Sequence, residues 1–156
     1  MELTFEDSDI NKFHSTFTKF GQGQEIVPAT FKPHFLNFDP FEWDQQGGGG
    51  SLQYTAQDGV RYSLTCIANK KYGVMLQWDC LETKLIGINN QSFSIGNKER
   101  MHQIEDIGDE EFYPVGSFLK PELAWLAVRD FFSNPSKKSN QIEWINSNDI
   151  EWPDDF

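Results

Sequence analysis

Cysteine is scarce in this chain of 156 residues: only Cys66 and Cys80 occur, without a Cys-x-x-Cys pair, which excludes a disulfide framework and leaves two thiols expected to be buried. The three histidines, His14, His34 and His102, fall in three separate segments and lack His-x-x-His spacing, so no metal centre and no cofactor is expected. Long apolar runs are missing too. The longest, such as residues 72–76, are far short of the ~20 residues that span a bilayer, and the opening Met1-Glu2-Leu3-Thr4-Phe5-Glu6-Asp7 is acidic where a secretory signal is basic, so the cytosol is the expected location. Positive charge is in short supply: 13 Lys and Arg stand against 24 Asp and Glu, a net charge of -11. Such a field repels phosphate backbones and anionic membranes, which argues against direct contact with nucleic acid or membrane.

What the chain has in abundance is aromatic surface. Aromatic residues make up 15% of it, with eight of the 14 phenylalanines between Phe5 and Phe41, interleaved with Pro28, Pro33 and Pro40. The length fits one domain, residues 1–156. Ile10, Phe13, Phe17 and Phe20 recur at helical spacing behind Ser8 and Asp9, and Gly21 stops the run, which predicts an N-terminal helix over residues 8–20. From 25 to 46 proline interrupts every regular pattern, which predicts an irregular wrap whose Phe31, Phe35, Phe38 and Phe41 plug into the main body. Gly47-Gly48-Gly49-Gly50-Ser51 has two readings, a flexible linker of the engineered kind or a natural loop entering a strand, and the compatible aromatic segments on either side favour the second.

Residues 52–145 read as the core. Leu52, Tyr54 and Ala56, then Tyr62, Leu64, Cys66 and Ala68, then Val74, Leu76, Trp78 and Cys80 alternate with polar residues, the two-residue period of antiparallel strands with one buried face. A three-residue Gln57-Asp58-Gly59 loop sets Tyr54 opposite Tyr62 and Leu52 opposite Leu64, which buries one consistent face. Further strands are expected over 84–88 and 92–95, a polar loop with one helical turn over 96–108, and an edge strand over 112–118, where Pro114 cannot donate to a ladder. Pro121 suits the first helical position, and Leu123, Ala124, Ala127, Val128, Phe131 and Phe132 form one apolar stripe with Trp125 at its margin. That helix should lie across the sheet. Residues 141–145 alternate again as a strand before an acidic tail, 146–156. The fold expected is therefore α+β: an antiparallel meander of four to six strands covered by a C-terminal amphipathic helix, with an N-terminal helix and an aromatic-rich wrap.

No motif for catalysis emerges. Gly116-Ser117 and Gly50-Ser51 lack the flanking pattern of a nucleophile elbow, and Glu105, Asp106, Asp109, Glu110 and Glu111 are five like charges in seven residues rather than an isolated acid and base. Beside Phe112 and Tyr113, that cluster suits a basic groove on another protein. Trp43 between Glu42 and Asp44, and Trp152 between Glu151 and the pair Asp154 and Asp155, have two readings of equal weight: interface anchors in an anionic patch, or aromatic groups folded back on the body.

At Pro114-Val115-Gly116-Ser117, Pro121, Ala124, Ala127, Phe131-Phe132 and Ile142-Glu143-Trp144 the sequence resembles the deaminase-associated immunity proteins of bacterial polymorphic toxin systems, the first of the numbered immunity families, over roughly residues 52–145. The resemblance implies a small antidote without chemistry of its own, which binds the catalytic domain of a cognate toxin. The family's usual targets look like nucleic-acid deaminases, whose substrate channel is basic; carboxylates would sit where phosphates sit and aromatic groups where bases stack. The competing expectation is a ligand-binding or enzymatic cone-shaped α+β domain. It calls for a polar titratable group on the buried face of the central strands, where Tyr62, Leu64, Cys66, Val74, Leu76 and Trp78 supply none; Asp79 and Arg61 fall on the opposite face.

Overall fold

The computed structural model describes residues 11–20, 26–81, 89–108 and 111–152. Its elements in chain order are β1 (Phe13–Ser15), α1 (Pro28–Leu36), α2 (Pro40–Asp44), β2 (Gly49–Thr55), β3 (Arg61–Asn69), β4 (Gly73–Leu81), β5 (Asn89–Ile95), β6 (Ile104–Gly108), β7 (Glu111–Pro114), β8 (Phe118–Leu119), α3 (Pro121–Ser133) and β9 (Glu143–Asn146). The fold is α+β. One antiparallel sheet of seven strands runs β1-β2-β3-β4-β5-β9, with β8 pairing the start of β4, and β6 and β7 form a separate hairpin.

The central meander follows from its alternation. Tyr54 faces Tyr62 and Leu52 faces Leu64, as the three-residue loop requires, and Gly59 closes that loop at φ +89°. On one face Leu52, Leu64, Cys66, Ala68, Val74, Leu76 and Trp78 are buried under the helices. There α3 delivers Ala124, Trp125, Ala127, Val128 and Phe131, while α1 delivers Phe31 and Phe35. Each such side chain contributes about 1.5–3 kcal/mol of burial. Trp125, expected at the margin, is only 4% exposed because α1 covers it, with the Phe35 ring 5.7 Å away; Leu123 is the stripe residue left outside.

Four expectations for the N-terminal third and the connections are corrected. Residues 11–20 contain no helix: Phe13–Ser15 is a strand on the open edge of β2, with Phe13 opposite Tyr54 and His14 opposite Gln53. Unpaired backbone on that edge and a run of Phe, Ser and Thr, all weak helix formers, decide for the sheet; residues 8–10 of the expected helix lie outside the described residues. The segment 25–46 is not an irregular wrap where it is described. Pro28 and Pro40 each open a helix at its first turn, where a missing N–H costs nothing, and Asp39 caps the second by accepting from the Phe41 amide at 3.0 Å. The stretch 96–108 has its expected helical turn at Lys98–Arg100 but continues into β6. The edge strand expected over 112–118 divides into β7 and β8, and the strand expected over 84–88 lies outside the described residues.

The sheet's second face divides in two. Met75, Phe93, Ile67 and Ile145 form a smaller apolar cluster with Phe118, Ile150, Ile104, Ile107, Tyr113 and Trp152, so the β6–β7 hairpin and the chain after β9 cover this half. Its other half is polar. Among the described residues no helix is long and apolar enough to cross a membrane.

Candidate functional site

The residues singled out from sequence go to different places. Trp43 is fully buried, its ring edge-on to Phe17, Phe20 and Phe35, and its indole N–H donates to the His34 carbonyl at 3.2 Å. Of its two readings the folded-back one holds, and a docking anchor it is not. Glu42 faces outward and pairs with His34 Nδ1 at 2.6 Å. Trp152 is half-buried, edge-on to Phe93 at 6.0 Å, with its indole donating to the Ser147 carbonyl at 3.3 Å, so it too folds back, while Glu151 beside it is exposed. On the hairpin, Glu105 accepts from the Tyr72 hydroxyl, and Asp106 accepts from the Gly108 amide at 2.9 Å, which shapes a bulge that lets both Ile104 and Ile107 reach the apolar cluster. Tyr113 is half-buried; burial first, then the Glu111 charge, raises its pKa above the usual tyrosine value. Glu111 is exposed and Phe112 is 38% exposed. Asp109, Glu110, Asp154 and Asp155 lie outside the described residues.

Folding nevertheless joins two of these acidic segments. Asp44 at the end of α2 and Glu111 at the start of β7 line one cleft of about 210 Å³, floored by Gly47, Gly48, Ile67, Ala68, Ile107 and Gly108. Glycine is required where the chain enters it: Gly47 and Gly48 hold φ +81° and +89°, and a Cβ on Gly49 would come within 2.2 Å of the Cys66 carbonyl oxygen. The glycine run is therefore part of the sheet and its entry turn.

A larger cavity, about 580 Å³, occupies the polar half of the second face. Strand registers build it: His14, Gln53, Ser63, Asp79 and Gln91 stand opposite one another in a single row across β1 to β5, and all five line the cavity. Thr55, Arg61 and Leu81 of the next row line it too. Asp79, on β4, is 9% exposed. Gln77 Nε2 donates to its Oδ2 at 3.0 Å, but Oδ1 has no hydrogen-bond partner. Burial raises the Asp79 pKa above the ordinary 3.8, and the amides of Gln77 and Gln91 draw it back in part. Sequence reading set Asp79 aside as outward-facing. The first two hairpin registers alone would have aligned Gln53, Ser63 and Asp79, yet its burial depends on the depth of the cavity.

Among the described residues no group of three or more His, Cys, Asp or Glu is placed to hold a metal ion. Cys66 is buried and its pKa lies far above the ordinary thiol value through desolvation, so it is no nucleophile, and Cys80 is half-buried. The chain matches no protein-family model, no curated protein and no solved structure.

Proposed function

We propose that the chain is a stoichiometric inhibitor that seats its acidic rim against a cationic cleft of a partner protein, as the resemblance to deaminase-associated immunity proteins implies. The observation that supports this reading is that Asp44 and Glu111, 67 positions apart in sequence, line one small cleft. Its volume and its backbone floor suit one lysine or arginine side chain, held between two carboxylates. Exposed charge pairs contribute only about 0–1 kcal/mol each, so they govern encounter more than residence, and desolvated contacts must supply the rest. Phe112, next to Glu111 and 38% exposed, is the apolar neighbour available for that.

The test is co-expression with the catalytic domain of a toxin encoded beside this chain. A one-to-one complex is expected, with association that slows as salt is added while dissociation changes little. Asp44→Lys combined with Glu111→Lys should slow association by about tenfold or more. Failure to co-purify with the toxin or to protect cells from it overturns the reading for that pair, and unchanged association of the double variant removes the cleft from the interface.

A further inference from the structure

The polar row on the second face has no part in the docking role above. A carboxylate that loses most of its water needs compensation, by hydrogen bonds at both oxygens or by a counter-charge. Gln77 donates to Asp79 Oδ2 and the Gln91 amide also favours the charged form, but Oδ1 has no hydrogen-bond partner, and Asp79 lines a cavity whose row neighbours Gln53, Ser63 and Gln91 all carry oxygens able to accept. What fits an open carboxylate oxygen flanked by neutral acceptors is a donor-rich cation. Arg61, His14 and the Tyr62 phenol are the other charged or titratable groups that line the cavity among the described residues. Arg61 and His14 are exposed, so water screens them, and all three groups take part in interactions of their own. The net charge of -11 adds a field that concentrates small cations at the surface.

We propose that this cavity is a binding site for a guanidinium group, with Asp79 Oδ1 accepting its N–H donors and the side chains of Gln53, Ser63 and Gln91 accepting beside it. A planar fork of donors matches a row of acceptors spaced along neighbouring strands, and pairing with Asp79 discharges the cost of its burial. The guanidinium has two sources, a free guanidino compound or an arginine side chain on a peptide, and the site reads the same chemistry in both.

The experiment uses the purified chain alone, so its outcome is independent of any toxin. Backbone amide shifts are followed by NMR during titration with methylguanidinium, with a capped glycine-arginine-glycine peptide, and with methylurea, a neutral molecule of the same outline. Expected is saturable binding of at least one cationic probe, with shifts centred on residues 53, 63, 79 and 91, and no saturable binding of methylurea. A peptide that binds where methylguanidinium does not assigns the site to an arginine side chain; the reverse assigns it to a free compound. Asp79→Asn should weaken binding about tenfold or more while the amide spectrum stays folded, whereas Glu122→Gln, at an exposed position in the first turn of α3, should leave it unchanged. Silence of both cationic probes, equal binding of methylurea, or undiminished binding in a folded Asp79→Asn protein overturns the proposal. The methylurea comparison uses the unaltered chain and decides the matter even if the variant does not fold.

Discussion

Trp43 donates its indole N–H to the main-chain carbonyl of His34 at 3.2 Å, which ties α2 to α1 through a fully buried ring. His34 in turn stacks on Phe20 at 3.8 Å and holds Glu42. The acidic residues beside Trp43 therefore stay at the surface while the tryptophan between them is core.

Removing that ring should unfold rather than undock. Trp43→Ala is expected to cost about 3–5 kcal/mol, the range for a buried aromatic replaced by alanine. Urea denaturation measures it, and a loss below about 1 kcal/mol would place Trp43 at the surface after all.

The Asp79 carboxyl makes stability depend on pH in an unusual direction. Its folded pKa lies above the ordinary 3.8, so the native state holds this proton more tightly than the unfolded chain, and ionised Asp79 opposes folding. Its contribution falls as pH rises from about 3.8 through the raised folded value, and is regained as pH drops back. The difference in stability between Asp79→Asn and the unaltered chain should therefore favour the variant at pH 7 and shrink on acidification through that window. Paired urea titrations across it supply the difference, from which the other carboxylates cancel. A variant that gains nothing at neutral pH would show the carboxylate to be compensated.

The thiols should separate by reactivity. Cys66, buried on the helix-covered face with its pKa far above the ordinary thiol value, should resist iodoacetamide until the chain unfolds, and Cys80, half-buried near the end of β4, should be alkylated first. Mass spectrometry after limited labelling reads the order.

Gly47 in the entry turn and Gly49 at the start of β2, two residues apart, should respond differently to alanine. At Gly49 the new Cβ meets the Cys66 carbonyl oxygen at 2.2 Å, so β2 must move from β3, at about 1–3 kcal/mol or more. At Gly47 nothing lies within 4 Å and only the left-handed φ of +81° is strained, about 1 kcal/mol. Thermal melts of the two variants give the ranking, and equal losses would mean that strain rather than contact governs both.

Period-two alternation and turn chemistry are local, so β2, β3 and β4, the register of Tyr54 with Tyr62, and α3 behind Pro121 were legible in the amino-acid sequence. Period alone could not decide for Phe13, whose spacing to Phe17 suits a helix but whose backbone finds a partner in the free edge of β2. Proline misled in the same way: read as a breaker at 28 and 40, it opens α1 and α2. The acidic residues could be listed from sequence, but which of them share a cleft depends on where hairpin β6–β7 folds back over the sheet.

By itself the sequence determined the net charge, the antiparallel alternation, and the residues able to make a core, because each of these depends on a residue and its near neighbours. Tertiary structure alone decided that Trp43 is inside, that Asp44 and Glu111 line one cleft, and that Asp79 lies half-satisfied in a polar row across five strands. The reason is physical: burial and cross-strand contact are properties of pairs far apart in the chain, and their energies exist only once the strands have closed.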